Sequence, residues 1–151
     1  MHPRLDYMTA APDAFQAVLA LETYVAGKSG LDARLIDLVK LRASQINGCA
    51  FCVDMHTKEA KAHGADPQWI NLVCVWREAG VFSARERAAL AWTEAVTNVR
   101  DTGVPDQDFE AIGAHFSDAE IVKLTVAIGT INLWNRLAVS FRTPHPVDEA
   151  A

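Results

Sequence analysis

Signals that begin and end helices recur along the whole chain, while patterns typical of β-strands are nearly absent. Proline, aspartate or serine precedes each long apolar-periodic segment, and glycine ends several of them. Two segments open with capping boxes, Ser83-x-x-Glu86 and Ser117-x-x-Glu120, in which side chains bond the free N–H groups of a helix start. This punctuation predicts an all-α fold, a helical bundle.

Seven helices are expected from the positions of these signals. They are predicted over residues 12–27, 32–47, 49–63, 67–80, 84–99, 105–115 and 118–140. A chain of 151 residues with 50% apolar side chains is long enough to bury a core of its own. We therefore expect a single domain over residues 1–151.

The charge and the apolar pattern exclude several classes of protein. The net charge is −5 and the basic residues are scattered, which argues against a nucleic-acid partner. No apolar stretch approaches the roughly 18 residues of a spanning helix, and the N-terminal segment lacks the pattern of a signal peptide. We expect a cytoplasmic protein without membrane contact, in which a Cys-x-x-Cys pair indicates redox or metal chemistry and not a disulfide scaffold.

Cys49 and Cys52 carry the strongest chemical signal. Gly48 is expected to end the second helix, so that both cysteines fall at the start of the third. Unpaired N–H groups and the helix macrodipole favour a thiolate there, and such positions lower a cysteine pKa from about 8.5 to between roughly 3.5 and 7.5. A nucleophile is therefore expected at neutral pH.

His56 shares a face of the predicted helix with both thiols. At about 100° per residue, Cys52 lies near roughly −60° and His56 near roughly −20° relative to Cys49. Residues three apart in a helix have Cα atoms about 5 Å apart, a separation that a disulfide accepts. His56, one turn after Cys52, is within reach to take or return a proton. The three residues thus resemble an activated nucleophile with a resolving thiol beside it.

Two simpler interpretations of the cysteines remain. They could be small core residues, or they could bind zinc together with His56. A structural zinc site needs a fourth ligand, and the remaining cysteine, Cys74, stands between two valines, where we expect a buried and inert thiol. No metal, haem, flavin or other cofactor is therefore expected.

At residues 38–56 the chain reads Leu-Val-Lys-Leu-Arg-Ala-Ser-Gln-Ile-Asn-Gly-Cys-Ala-Phe-Cys-Val-Asp-Met-His. This segment resembles the signature of the AhpD-like alkylhydroperoxidases, within the carboxymuconolactone decarboxylase superfamily. The later stretch Ile131-Asn-Leu-Trp-Asn-Arg136 and the helical plan around it resemble the same group. The resemblance covers most of the chain.

The resemblance implies a role for each residue of the motif. Cys52 would attack the peroxide to form a sulfenic acid, Cys49 would resolve it to a disulfide, and His56 would relay protons with an upstream acid. That acid is a glutamate in the family, and its position here holds Asp37. A second departure is Phe51, which stands where the better-studied peroxidase of the family has a histidine.

These inferences favour a thiol-dependent peroxidase that reduces organic hydroperoxides or hydrogen peroxide and is reset by an external dithiol protein. The resemblance also implies a homo-oligomer, a trimer or a hexamer. Two alternatives stay open: a thiol-disulfide oxidoreductase or redox sensor, and a carboxymuconolactone decarboxylase-like lyase or ligand-binding protein. A purely structural module would leave the dithiol without a use.

Overall fold

The computed structural model describes residues 2–147, and within them the chain is helical without strands. The described part contains nine α-helices, α1 to α9, and one 3₁₀ turn, Val73–Val75, after α5. In chain order the helices are Tyr7–Ala10, Pro12–Gly27, Ala33–Ile46, Ala50–Ala62, Pro67–Leu72, Ala84–Thr97, Val99–Thr102, Asp106–Gly113 and Asp118–Phe141. The all-α prediction is confirmed.

Helix starts follow the predicted caps. The Asp32 carboxylate accepts N–H groups of the first turn of α3, and both predicted capping boxes form at the starts of α6 and α9. Each satisfies N–H groups that a helix end leaves unpaired, which is worth roughly 1 kcal/mol per cap. The long helices therefore begin within a residue or two of their predicted positions.

Two of the nine helices were not predicted. Both α1 and α7 have only four residues, too few for an apolar period to be visible in the sequence. In α1 the turn is held by Asp6, whose side chain accepts the N–H groups of Met8 and Thr9.

The predicted fourth helix, 67–80, is too long. It ends at Leu72 and passes into the 3₁₀ turn Val73–Val75. The segment after the turn is held by the Arg87 guanidinium, which donates to the carbonyls of Trp76, Arg77 and Ala79. Cys74 lies in the 3₁₀ turn, where the helical spacing of the apolar pattern is broken, and it is exposed, so the expectation of a buried thiol there is wrong.

Helix α3 lies at the centre of the bundle, packed against α4, α6 and α9. Its residues 35–41 are all buried, including Asp37 and Lys40. Charged groups removed from water require partners, and both have one: Asp37 bonds His63, and Lys40 pairs with Glu22 of α2. None of the helices within residues 2–147 combines the length and apolar character that crossing a bilayer requires.

Candidate active site

The turn between α3 and α4 presents the two cysteines. Gly48 has φ of +64°, a left-handed conformation that glycine adopts without a steric penalty. The next residue, Cys49, is extended and is the N-cap of α4, where its Sγ accepts the N–H of Cys52 at 3.3 Å. The predicted glycine break is confirmed, and Cys49 precedes the first helical turn instead of lying in it.

The two sulfur atoms form one hydrogen-bonded pair. Both cysteines are free thiols, their Sγ atoms lie 2.7 Å apart, and each residue is only 1% exposed. The hydrogen bond with the Cys52 thiol lowers the pKa of Cys49 to about 7, and the N–H of Cys52 adds to this effect. The same hydrogen bond between the two thiols, together with burial, raises the pKa of Cys52. The pair therefore loses its first proton from Cys49, near pH 7.

Asn135 of α9 joins this pair to the end of α3. Its amide donates to the Ser44 hydroxyl at 3.0 Å and accepts from the Asn47 side chain at 2.8 Å. Asn135 also contributes a hydrogen bond that lowers the pKa of each thiol. For Cys49 this adds to an overall decrease in pKa, and for Cys52 it opposes an overall increase. This residue belongs to the later motif, so the structure brings the two motifs together at the dithiol.

His56 lies one turn after Cys52 on α4 and is 2% exposed. Its Nδ1 hydrogen-bonds Oε2 of Glu59 at 2.7 Å, and this bond lowers the pKa of Glu59. The other ring nitrogen, Nε2, is buried and has no hydrogen-bond partner. The imidazole is therefore held in place through Nδ1, while Nε2 makes no hydrogen bond.

Asp37 does not contact His56. Its Oδ2 bonds Nδ1 of His63, the C-cap residue of α4, at 2.7 Å, and this bond raises the pKa of His63. Helical spacing would also allow Asp37 to pair with Arg34 or Lys40. Neither pair forms, because Arg34 bonds Glu86 and Lys40 bonds Glu22. The predicted acid is thus near the site but is paired with a different histidine.

Cys52 and His56 line a cavity of about 270 Å³ between α1, α2, α4 and α9. Its wall is mostly apolar. The apolar lining consists of Tyr7, Met8, Phe15, Leu19, Phe51, Met55, Trp134 and Ala138, and the remaining lining consists of Glu22, Lys40, Cys52, His56 and Glu59. Cys49 is not part of the wall, so a small molecule in the cavity meets Cys52 first.

A second cavity of about 130 Å³ adjoins the first. Glu22, Lys40 and Glu59 line both, while Asp37 and His63 line only the second. The Lys40–Glu22 ion pair thus stands between the Asp37–His63 pair and the cavity of Cys52, and Glu22 also accepts from the Trp134 indole at 3.1 Å.

Sequence reasoning missed Glu59, Lys40, Glu22 and Asn135 as site residues. Glu59 follows His56 by three residues on a predicted helix, a spacing that could have identified it. The meeting of Glu22 with Lys40 depends on how α2 packs against α3, which local patterns do not contain. Within the described residues, no three His, Cys, Asp or Glu side chains come together in a way that could hold a metal ion.

Comparison with known proteins assigns the chain to a family. The model of the carboxymuconolactone decarboxylase family matches residues 12–95. An uncharacterised protein of Bacillus subtilis, YdfG, is 34% identical over 140 residues, which cover 93% of this chain and 95% of that protein.

Two solved structures are similar over most of the chain. A protein of unknown function from Agrobacterium tumefaciens, provisionally named an antioxidant defence protein AhpD, is 60% identical, with a TM-score of 0.95 over 97% of this chain and 100% of that one. An uncharacterised peroxidase-related protein from Ralstonia eutropha JMP134, with an alkylhydroperoxidase AhpD core, is 26% identical, with a TM-score of 0.82 over 94% of this chain and 75% of that one. The family match and the identity over nearly the whole chain agree with the resemblance in the cysteine motif: the chain belongs to the carboxymuconolactone decarboxylase family and is AhpD-like.

Proposed function

We propose that the protein is a thiol peroxidase that reduces organic hydroperoxides, with Cys52 as the attacking sulfur. The observation that carries this proposal is the wall of the cavity, where Cys52 and His56 together line a largely apolar space. The neighbouring sulfur of Cys49 is 2.7 Å away, ready to form a disulfide. The name of the A. tumefaciens protein supports a role in antioxidant defence.

The proposed reaction uses Cys52, Cys49 and His56, together with an external dithiol that restores the enzyme. Cys52 passes its thiol proton to His56 Nε2, and its sulfur attacks the terminal oxygen of R–O–OH. The O–O bond breaks, Cys52 becomes a sulfenic acid, and the leaving alkoxide takes the proton back from His56. The Cys49 thiolate then attacks the Cys52 sulfur, and the hydroxide that leaves takes up a proton and departs as water. An external dithiol supplies two electrons to restore the thiols.

Two features favour a peroxide over a disulfide as the oxidant. An alkoxide is a far stronger base than a thiolate, so a peroxide needs a proton donor at the site, whereas disulfide exchange releases a thiolate without one. His56 supplies such a donor. Both sulfurs are 1% exposed, which also restricts the first reactant to a molecule small enough to enter the cavity.

The apolar lining favours an organic hydroperoxide over hydrogen peroxide. Phe15, Phe51 and Trp134 surround the space next to Cys52, and burying a hydrocarbon group there contributes about 0.8 kcal/mol per methylene. The external dithiol protein, the homo-oligomer and the part of Asp37 in the proton relay stay predictions from the resemblance. Since Asp37 bonds His63, its influence on His56 would pass through the groups around the second cavity.

Cysteine variants test this proposal in a Cys74→Ser background, which removes the exposed third thiol. We expect Cys52→Ser to lose thiol-dependent turnover of cumene hydroperoxide. Cys49→Ser should consume one peroxide per chain and leave a sulfenic acid on Cys52 that dimedone traps. In the background protein, peroxide should remove two thiols and mass spectrometry should find a Cys49–Cys52 disulfide. Full turnover by Cys52→Ser would disprove the assignment.

A further inference from the structure

The acid that contacts His56 is not the one at the family's acid position. Glu59 follows His56 by three residues on α4, and its Oε2 lies 2.7 Å from Nδ1. Asp37 is bound to His63 and is separated from His56 by the polar groups shared between the two cavities. Of the described carboxylates, Glu59 is thus the one placed to act on the imidazole directly.

The contact with Glu59 decides which nitrogen of His56 carries the hydrogen and which carries the lone pair. The carboxylate of Glu59 is an acceptor only, so the hydrogen of the neutral ring must be on Nδ1. The low pKa of Glu59, caused first by its bond to His56, keeps it ionised at neutral pH. Nε2 then carries the lone pair, and it is the buried ring nitrogen without a partner, on a residue that lines the cavity beside Cys52.

We propose that Glu59 is the positioning residue of His56, fixing the tautomer with Nε2 free to accept the proton of Cys52. The inference rests on the proposed peroxidase function and names a group that the reaction needs in addition to the two cysteines and the histidine. After the proton transfer, the Glu59 carboxylate stabilises the imidazolium until the alkoxide takes the proton from Nε2. Glu59 itself keeps no proton and does not touch the peroxide.

The position of Glu59 suits this role. The side chain of His56 is 3% exposed, so it cannot draw a second partner from solvent, whereas that of Glu59 is 47% exposed and keeps its charge in contact with water. A half-exposed carboxylate avoids the desolvation penalty of a buried one and still makes a charge-assisted bond of 2.7 Å. The same exposure means that substitution of Glu59 should leave the fold intact.

The first experiment compares the unsubstituted protein with Glu59→Gln. The ¹⁵N spectrum of the imidazole of His56 in the reduced protein should show a protonated Nδ1 and an unprotonated Nε2. In Glu59→Gln the amide can donate to Nδ1 as well as accept from it, so the Nε2–H tautomer should appear. A spectrum in which the wild-type ring already carries its hydrogen on Nε2 would overturn the proposal.

Turnover of cumene hydroperoxide gives the second measurement. General acid–base catalysis contributes about 10²–10⁴-fold, and loss of the group that orients the base should remove part of it, so we expect kcat/KM of Glu59→Gln to fall about tenfold or more. Glu59→Asp keeps the charge on a side chain one methylene shorter and should recover part of the loss. The matched control is Asp54→Asn, which removes another carboxylate of α4, bonded to Lys58 at 3.0 Å and absent from the cavity wall.

The outcomes separate this inference from the function on which it rests. Unchanged kcat/KM in Glu59→Gln, with Cys52→Ser inactive, would overturn the role of Glu59 and leave the peroxidase standing. Full activity in Cys52→Ser would remove both. A larger loss in Asp37→Asn than in Glu59→Gln, with the wild-type tautomer retained in Glu59→Gln, would assign the positioning role to Asp37 and overturn the inference.

Discussion

At the scale of single residues, two cysteines in one short motif have opposite electrostatic environments. Cys49 accepts the N–H of Cys52, and its hydrogen bond with the Cys52 thiol lowers the pKa of Cys49, whereas the same hydrogen bond and burial raise the pKa of Cys52. The sulfur that faces the cavity is therefore the one that holds the proton. This is why the proposed reaction needs a base such as His56 before Cys52 can attack.

The ionisation of the pair can be followed by the ultraviolet absorbance of the thiolate in Cys74→Ser protein. Because the pKa of Cys49 is lowered to about 7 and that of Cys52 is raised, one thiolate per chain should appear as pH rises through about 7. Below that pH the charge on Cys49 is lost, and the attack of Cys49 on the Cys52 sulfenic acid should slow. The step should vanish in Cys49→Ser and persist in Cys52→Ser, and the reverse pattern would place the charge on Cys52.

Residue spacing predicts which residues belong to this site better than it predicts which side chains hydrogen-bond each other. Cys49, Cys52 and His56 are predicted to share one face from helix geometry, and the contact between the two cysteines depends on local structure only. The partner of Asp37 could not be predicted in this way, since His63 meets it through the packing of α4 on α3, 26 positions along the chain. Long-range pairing of charges is set by which helices pack together, and the sequence pattern of one helix does not contain it.

At the scale of helices, local chemistry determines where most of them begin, and it shows less well where α5 ends. Proline, serine and aspartate caps act within one turn, so they are visible in the sequence. Helix α5 passes into a 3₁₀ turn, and the segment after that turn is held by Arg87 of α6, which bonds the carbonyls of Trp76, Arg77 and Ala79. Cys74 lies in the 3₁₀ turn, and the apolar pattern of residues 67–80 does not contain its exposed position.

The α3–α4 turn supports an element-scale prediction about Gly48. Its φ of +64° is strained for any residue with a Cβ, although a Cβ there would meet no atom within 4 Å. We expect Gly48→Ala to lower the free energy of unfolding by about 1 kcal/mol, since the left-handed conformation costs an L-residue roughly 1–2 kcal/mol and the stiffer unfolded chain returns part of it. Urea denaturation of the reduced protein measures the change.

Gly27 provides the matched control for Gly48. It is the last residue of α2, has no positive φ and is equally open around its Cβ position, so Gly27→Ala should be neutral or slightly stabilising. Gly48→Asn should cost less than Gly48→Ala, because asparagine tolerates the left-handed region. Equal effects of alanine at both glycines would show that the turn does not depend on the conformation of residue 48.

At the scale of the whole molecule, the cavity exists only because distant segments meet. The backbone N–H of Arg4 donates to the carbonyl of Phe141 at 2.9 Å, which fastens the segment before α1 to the end of α9. Phe15 of α2 packs its ring edge against Trp134 of α9 with centroids 5.9 Å apart. In the proposed reaction the thiol motif supplies the reactive atoms, and the segments near the two ends of the described chain supply much of the apolar wall of the cavity that selects what reaches them.

Because the reactive sulfurs and much of the apolar wall come from different segments, we expect that the substrate range can be changed without altering the reaction at the thiols. Leu19 lines the cavity and is 39% exposed, so a larger side chain there narrows the space without disturbing the core. Leu19→Trp should lower kcat/KM for cumene hydroperoxide about tenfold, as expected for loss of about 1.4 kcal/mol of binding, and change that for hydrogen peroxide less than about twofold.

Leu21→Trp, on the same helix, 37% exposed and outside the cavity wall, is the matched control and should change neither. An equal loss for both peroxides in Leu19→Trp would mean that the variant disturbs the dithiol, and no loss for either would mean that the peroxide reaches Cys52 by a path that avoids this cavity.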